Sequence, residues 1–341
     1  MFYPIGIYLA EASNIQSTSG CEANITKWFA KKMSSLTNNV HTDILGNVIA
    51  HKAGNNSLKI MLVAHADEIG FMVTNIDERG FMSIRPIGGV DASVMPGTMI
   101  TICGYKETIM GCVGKNAIHL QKDEPSAPKF EELWVDIGCA SKEEAQAKIR
   151  IGDYATFTPN YYKQSESVVC SKSLDDRVGI AVLLCLAERL KDTAINCDLY
   201  LVASVQEELG MRGAQVATNA IRPDICIAID VTHANDYPSA RVVTTDIKLG
   251  KGTVITIGPN VDTSIGKGLV NQAESNGIDY QIEPIPCPTG TDARVVQNSC
   301  LGVRTAVLSI PCRYMHTPTE MVSLKDAEDT ICLLHQYITS L

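Results

Sequence analysis

The chain has 341 residues, 45% of them hydrophobic and 20% charged, with a formal net charge of -9. An acidic balance with no Lys/Arg run interleaved with aromatics works against a phosphate-binding surface, so nucleic acid is excluded as an expected partner. No apolar stretch approaches the eighteen or so residues of a membrane helix, which excludes a membrane partner of that kind.

The N-terminal "MFYPIGIYLAEAS" lacks a basic leader and is interrupted by Pro4 and Gly6, so no secretory signal is expected and a cytoplasmic location is. "KIMLVAHA" follows as a short apolar run with little alternation, and "DLYLVASV", "DICIAID" and "RTAVLSI" repeat the pattern further on. Such runs suit strands covered on both faces in a parallel or mixed sheet.

The stretch 70–163 breaks this pattern with short alternating segments separated by Gly, Pro and Asp turns, and "SKEEAQAKIRIGD" adds one short helix. The expected architecture is therefore a three-layer α/β/α domain with a mixed sheet, from residues 1–69 and 164–341, interrupted by a small β-rich domain over 70–163. "SLDDRVGIAVLLCLAERLKD" predicts a helix capped by Ser173, with Asp175 and Asp176 in its first turn; "SLKDAEDTICLLHQYITSL" predicts a closing helix capped by Ser323. Twelve scattered cysteines without a C-x-x-C pair read as reduced thiols, mostly in the core.

Metal-binding residue types gather at the ends of the predicted strands. "LVAHADEIG" carries His65 and Asp67, "VASVQEELG" carries Glu207 and Glu208, "CIAIDVTHA" carries Asp230, and "VLSIPCRYMHTPTEM" leads to His316. In open α/β sheets the crevice beyond the carboxyl ends of the strands binds ligands, so residues far apart in sequence can converge there, with Asp175 joining from its helix. Read singly, adjacent acids are a solvated pair and a lone histidine is a hydrogen-bonded structural residue, the reading given to His233. The repetition at strand ends is what argues for a site. Imidazole and carboxylate donors without thiolate suit catalytic zinc, cobalt or manganese. Five such donors exceed one open site and suit two divalent ions sharing a carboxylate, roughly 3.5–4 Å apart. Asp67, two residues after His65, is placed to orient that imidazole. Because neighbouring side chains on a strand face opposite ways, Glu207 and Glu208 are expected to do different work.

"HADEIGFMV", "SLDDRVG", "VQEELGMRGA", "IDVTHA", "GTDA" and "RYMHTPTEM" resemble, in order and spacing, the glutamyl and tetrahedral (TET) aminopeptidases of metallopeptidase family 42, and "STSGCEANI", "DILGNVIA" and "GCASKEEAQAKIRIGD" extend the resemblance over almost the whole chain. The resemblance implies one ion held by His65 and Asp230, another by Glu208 and His316, and Asp175 bridging both. It further implies Glu207 as general base, Asp67 as a catalytic partner behind His65, and removal of N-terminal residues from short peptide substrates. It implies that the inserted domain has a PDZ-like fold that pairs subunits, and that the subunits form a homo-oligomer such as a dodecamer. Thr291 and Asp292 of "GTDA" fall in a loop near the substrate, where a structural turn is the default. Two other functions fit the same residues: a two-metal amidohydrolase of N-acyl amino acids, and a non-catalytic metal-binding assembly protein. The preferred N-terminal residue is not legible at this stage.

Overall fold

A computed structural model describes residues 4–120, 127–242 and 245–341. Four parallel strands form the middle of the large sheet in the spatial order Asp198–Ser204, Lys59–His65, Ile225–His233 and Arg304–Arg313. These are the four apolar runs. Their weak alternation has a direct cause in Lys59–His65, where Ile60, Leu62 and Ala64 enter one core while Met61 and Val63 enter another. Successive side chains point to opposite faces, and here both faces are covered by helices.

Helices Ile5–Ser13, Ala23–Met33, Leu174–Leu190, Thr263–Asn276 and Leu324–Thr339 contribute to the larger core. Arg212–Ile221 and Ala293–Val296 cover the other face. Antiparallel strands extend the sheet on both sides: Val48–Lys52 beside Asp198–Ser204, and Glu320–Ser323 then Val168–Ser171 beyond Arg304–Arg313. Thr253–Ile257 also pairs antiparallel with Arg304–Arg313 and carries Tyr280–Pro284 in parallel, so the sheet is mixed.

The central helix does not begin as Ser173 predicts. Ser173 is left-handed (φ 53°) and its side chain caps nothing, because its hydroxyl accepts from the Lys172 ammonium at 3.2 Å. The capping group is Asp176, whose Oδ1 accepts the Gly179 N–H at 2.9 Å. Ser323 does cap the closing helix, accepting the Lys325 N–H at 3.2 Å.

Between the Lys59–His65 and Val168–Ser171 strands the chain leaves the sheet to build a closed barrel. Its strands run in the order Gly70–Ile76, Met82–Ile87, Trp134–Asp136, Thr108–Gly114, Met99–Cys103 and Tyr154–Phe157. Closure leaves no open sheet edge, and the barrel has its own core, including Phe71, Val73, Ile84, Ile100, Val135 and Phe157. The short helix Lys142–Gln146, capped by Ser141, belongs to the same excursion.

All twelve cysteines are free. They are not mostly core: Cys170, Cys185, Cys197, Cys226 and Cys312 are buried, whereas Cys112, Cys287 and Cys300 are exposed. Among the described residues no helix is long and apolar enough to cross a membrane.

Candidate metal centre

The carboxyl ends of the parallel strands bring their polar residues to one place. His65, Asp175, Glu207, Glu208, Asp230 and His316 all line a single cavity of about 330 Å³. Asp67 lies behind it, fully buried.

Asp175 stands between the two imidazoles. Its Oδ1 is 3.0 Å from His65 Nε2 and its Oδ2 is 3.3 Å from His316 Nε2. His65 Nε2 is also 4.0 Å from Asp230 Oδ1, and His316 Nε2 is 3.3 Å from Glu208 Oε1. The other nitrogen of each ring is tied back: His65 Nδ1 lies 3.2 Å from the Asp67 carbonyl, and His316 Nδ1 lies 2.8 Å from the Gly89 carbonyl in the inserted segment. In both cases Nδ1 is the nitrogen turned to a carbonyl and Nε2 the one turned to the carboxylates, so Nε2 is the nitrogen each ring would offer to a metal ion.

"SVQEELGMRG" departs from the strand geometry expected of it. The strand ends at Ser204 and Gln206 is left-handed (φ 57°), so Glu207 and Glu208 sit in a turn. What separates them is Asp67: its Oδ1 accepts the Glu207 N–H at 3.0 Å and its Oδ2 the Glu208 N–H at 3.1 Å. One carboxylate thus holds both backbone amides, and of the two side chains Glu208 is the one that reaches His316, at 3.3 Å. The turn is held elsewhere by Asn47, whose Oδ1 accepts the Val205 N–H at 3.0 Å and whose Nδ2 donates to the Gly213 carbonyl at 3.0 Å. Glu22 Oε1 accepts the Gln206 N–H at 3.1 Å. Gly213 has no room for a side chain, since a Cβ there would lie 2.3 Å from both Asn47 Oδ1 and the Val205 carbonyl oxygen. Gly213→Ala is therefore expected to destabilise the fold by ~1–3 kcal/mol, the usual cost of overpacking, and to lower activity by displacing the turn. Denaturant unfolding beside an activity assay tests this; wild-type stability would show that the turn yields freely.

The electrostatics of the cavity call for cations. Burial, then Asp230, Asp292 and Glu208, push the Glu207 carboxyl up to about 10 against the pull of His65. Burial likewise raises Asp230 and Glu208. Burial alone would lower His316, but hydrogen bonds and charge from Asp175 and Glu208 lift it to about 11; His65, against the same burial, is lifted well above its ordinary value by Asp175 and Asp67. Neither Lys nor Arg is among the described residues lining the cavity. The donors fall into three overlapping groups: His65, Asp175 and Asp230; Asp175, Glu208 and His316; and His65, Glu207 and Glu208. Within each group the donor atoms lie within 4.8 Å of one another. Imidazole and carboxylate oxygen at this spacing, with a surplus of buried negative charge, fit divalent metal ions.

Several supporting residues carry no sequence signal of their own. Glu320, almost fully buried, accepts the His316 N–H at 2.8 Å and the Asp175 N–H at 3.0 Å, fixing the backbone of both residues. Its place four residues after His316 in "MHTPTE" is the only available hint. Asp176 accepts the His65 N–H at 3.2 Å besides capping its helix. Beneath the His65–Asp67 turn, Glu68 is paired with Lys172 at 2.6 Å and Arg177 at 3.2 Å, all three buried, and Arg177 also donates to the Ala66 carbonyl. Losing one member of such a group leaves an uncompensated buried charge, so the triad holds the turn in one geometry. Thr291 lines the cavity, while Asp292 is buried and accepts the Ser204 hydroxyl at 2.6 Å, so "GTDA" provides both a wall and a support. His233 is exposed and is also among the residues that line the cavity. Glu283, from the strand Tyr280–Pro284, is a further wall residue that sequence reasoning passed over, because nothing near it in the chain resembles a site.

A family model described as M42 glutamyl aminopeptidase matches residues 46–333. The chain is 40% identical over 305 residues to the lysyl aminopeptidase of Pyrococcus furiosus, across 88% of this chain and 87% of that protein. Among solved structures, an aminopeptidase from the archaeon Desulfurococcus kamchatkensis superposes with a TM-score of 0.94 at 33% identity, covering 99% of this chain and 95% of that one. The TET1 peptidase of Pyrococcus horikoshii, which can assemble into a tetrahedron or a large octahedral shell, gives 0.89 at 29% identity, covering 99% and 100%.

Proposed function

The chain belongs to the M42 glutamyl aminopeptidase family and is a peptide-bond hydrolase, and we propose that it is a cytoplasmic aminopeptidase that removes N-terminal residues from short peptides with two divalent ions and Glu207 as general base. The observation that carries this reading is the shared position of Asp175 between His65 and His316, at 3.0 and 3.3 Å. His65, Asp175 and Asp230 would hold one ion, and Asp175, Glu208 and His316 the other. Zinc, cobalt and manganese all suit these donors.

The residues of the two donor groups would hold divalent ions, which would polarise the scissile carbonyl, lower the pKa of a bound water and supply the positive charge that brings the Glu207 carboxyl into a range where it accepts a proton. Glu207 takes that water's proton on a carboxylate oxygen as the water attacks, then hands it to the leaving amine. Asp67 fixes Glu207 through its backbone amide and presents its Oδ1 3.5 Å from His65 Nδ1, so base and ligand share one buried support. The acidic lining favours a substrate end that carries a free ammonium over one that is acylated, which sets this reading above an amidohydrolase of N-acyl amino acids.

Metal-reconstituted protein should hydrolyse chromogenic aminoacyl anilides and leave their N-acetylated counterparts intact. Turnover of the acylated set alone would establish the amidohydrolase, and turnover of neither would leave a metal-binding assembly protein. We propose as well that the domain boundaries are 1–69 with 164–341 for catalysis and 70–163 for the inserted barrel, a PDZ-like module by which subunits pair. A solved relative forms tetrahedral and octahedral shells, which supports a homo-oligomer such as a dodecamer here. Sedimentation at the mass of one subunit would reject it.

A further inference from the structure

A second cavity, of about 420 Å³, opens at the end of the strand Asp198–Ser204 that points away from the metal centre, and the two cavities share no lining residue. Its floor is apolar. Leu199 and Leu201 come from that strand, Leu190 from the end of the central helix, and Leu36 from the loop after Ala23–Met33. Ala50 and Ala187 line it as well, and their short side chains leave the space that a larger residue would fill.

The rim is cationic. Lys52 and Lys191 line the cavity, and neither Asp nor Glu is among its described lining residues. Lys52 Nζ donates to the Lys191 carbonyl at 3.1 Å and Lys191 Nζ to the Ser35 carbonyl at 3.5 Å, so each ammonium answers a helix-end carbonyl with one of its three N–H groups. Lys142, Lys148, Lys172 and Lys325 are each matched with a carboxylate, whereas among the described residues Lys52 and Lys191 are matched with none, in a chain whose net charge is -9. His51, between Ala50 and Lys52, turns its ring to the opposite face of the sheet, where it stacks on Tyr200 at 4.5 Å. The two lysines are therefore the ionisable side chains that face this cavity.

An apolar floor under two unmatched cations suits one class of ligand. An amine would meet two ammonium groups and no acid. Inorganic phosphate would leave the leucine floor uncovered. A carboxylate with an aliphatic tail answers both features, since its tail removes the floor from water and its head pairs with the ammonium groups.

We propose that this cavity binds a free aliphatic monocarboxylate, its tail on Leu190, Leu199 and Leu201 and its head at Lys52 and Lys191. The site is separate from the metal centre, and the inference does not depend on the reaction there. Calorimetric titration of metal-reconstituted enzyme with butanoate, hexanoate and octanoate, with hexan-1-ol and hexylamine beside them, tests it. Affinity should rise on the order of 3–4-fold per methylene, the factor of burying one CH₂. Hexanoate should bind on the order of 10-fold more tightly than hexan-1-ol, the combined worth of two solvent-facing ion pairs, and hexylamine should bind more weakly than either. The Lys52→Gln, Lys191→Gln double variant should lose the preference for hexanoate over hexan-1-ol. Ala187→Leu, which fills the floor and alters no charge, should weaken octanoate on the order of 10-fold, the loss of about two buried methylenes. Octanoate bound at the metal centre instead would compete with aminoacyl anilides and be indifferent to both variants, and that result overturns the inference. Equal binding of hexanoate and hexan-1-ol overturns it too, as does the absence of any binding of octanoate to the wild type.

Discussion

Glu207→Gln is expected to keep the metal content of the wild type while turnover falls on the order of 10²–10⁴-fold, the contribution of a positioned general base. The amide keeps the shape and the backbone hydrogen bond to Asp67 but cannot take a proton at the position the carboxylate oxygen holds. Glu207 shares a donor group only with His65 and Glu208, whereas Glu208 also groups with Asp175 and His316 and stands 3.3 Å from His316 Nε2. Glu208→Gln should therefore fail differently. Its metal content should fall, and excess metal should restore part of its turnover, whereas no amount of metal should rescue Glu207→Gln. Metal analysis after gel filtration, paired with single-substrate kinetics, separates the two. Equal metal loss in both variants would mean that the adjacent glutamates are interchangeable ligands, and the assignment of the base would fall.

That contrast was visible in the sequence for a reason the structure revises. Strand alternation predicts that Glu207 and Glu208 face opposite ways, but both lie beyond the strand in a turn whose two amides are held by Asp67, so any difference between them comes from the turn. The apolar runs were legible because strands covered on both faces need apolar residues at every position, as Ile60 and Met61 illustrate by entering separate cores. The ligand candidates were legible because the chain places them at strand ends, where topology gathers them. Glu320, Glu283 and Glu22 were not legible, since each acts on a residue from another segment and their value comes from packing that no local pattern encodes. Gly89 is the extreme case: a backbone carbonyl from the inserted segment orients His316 from 227 residues away in the chain. Ser173 misled for a similar reason, its hydroxyl being claimed by a buried lysine before it could cap a helix.

Asp175→Asn is expected to release both ions, and this is the strongest test of the shared centre. Asp175 offers one oxygen to each imidazole, and its own N–H is held at 3.0 Å by Glu320, so its position is fixed independently of any ligand. An asparagine keeps one acceptor oxygen and turns the other position into a donor, which faces an imidazole or an ion with the wrong sign. Replacing a partner that only orients a ligand costs about 10–100-fold in metal affinity, so loss of a carboxylate common to two ions should exceed 100-fold. Glu320→Gln, whose hydrogen bonds among the described residues go to the backbones of Asp175 and His316, should stay within the smaller range. Equilibrium dialysis at a metal concentration that saturates the wild type should find Asp175→Asn nearly metal-free and Glu320→Gln partly loaded. If Asp175→Asn instead retains one ion per subunit at wild-type affinity, Asp175 belongs to a single site and the two imidazoles do not share an acid, which would require the second ion to be held by the His65, Glu207 and Glu208 group.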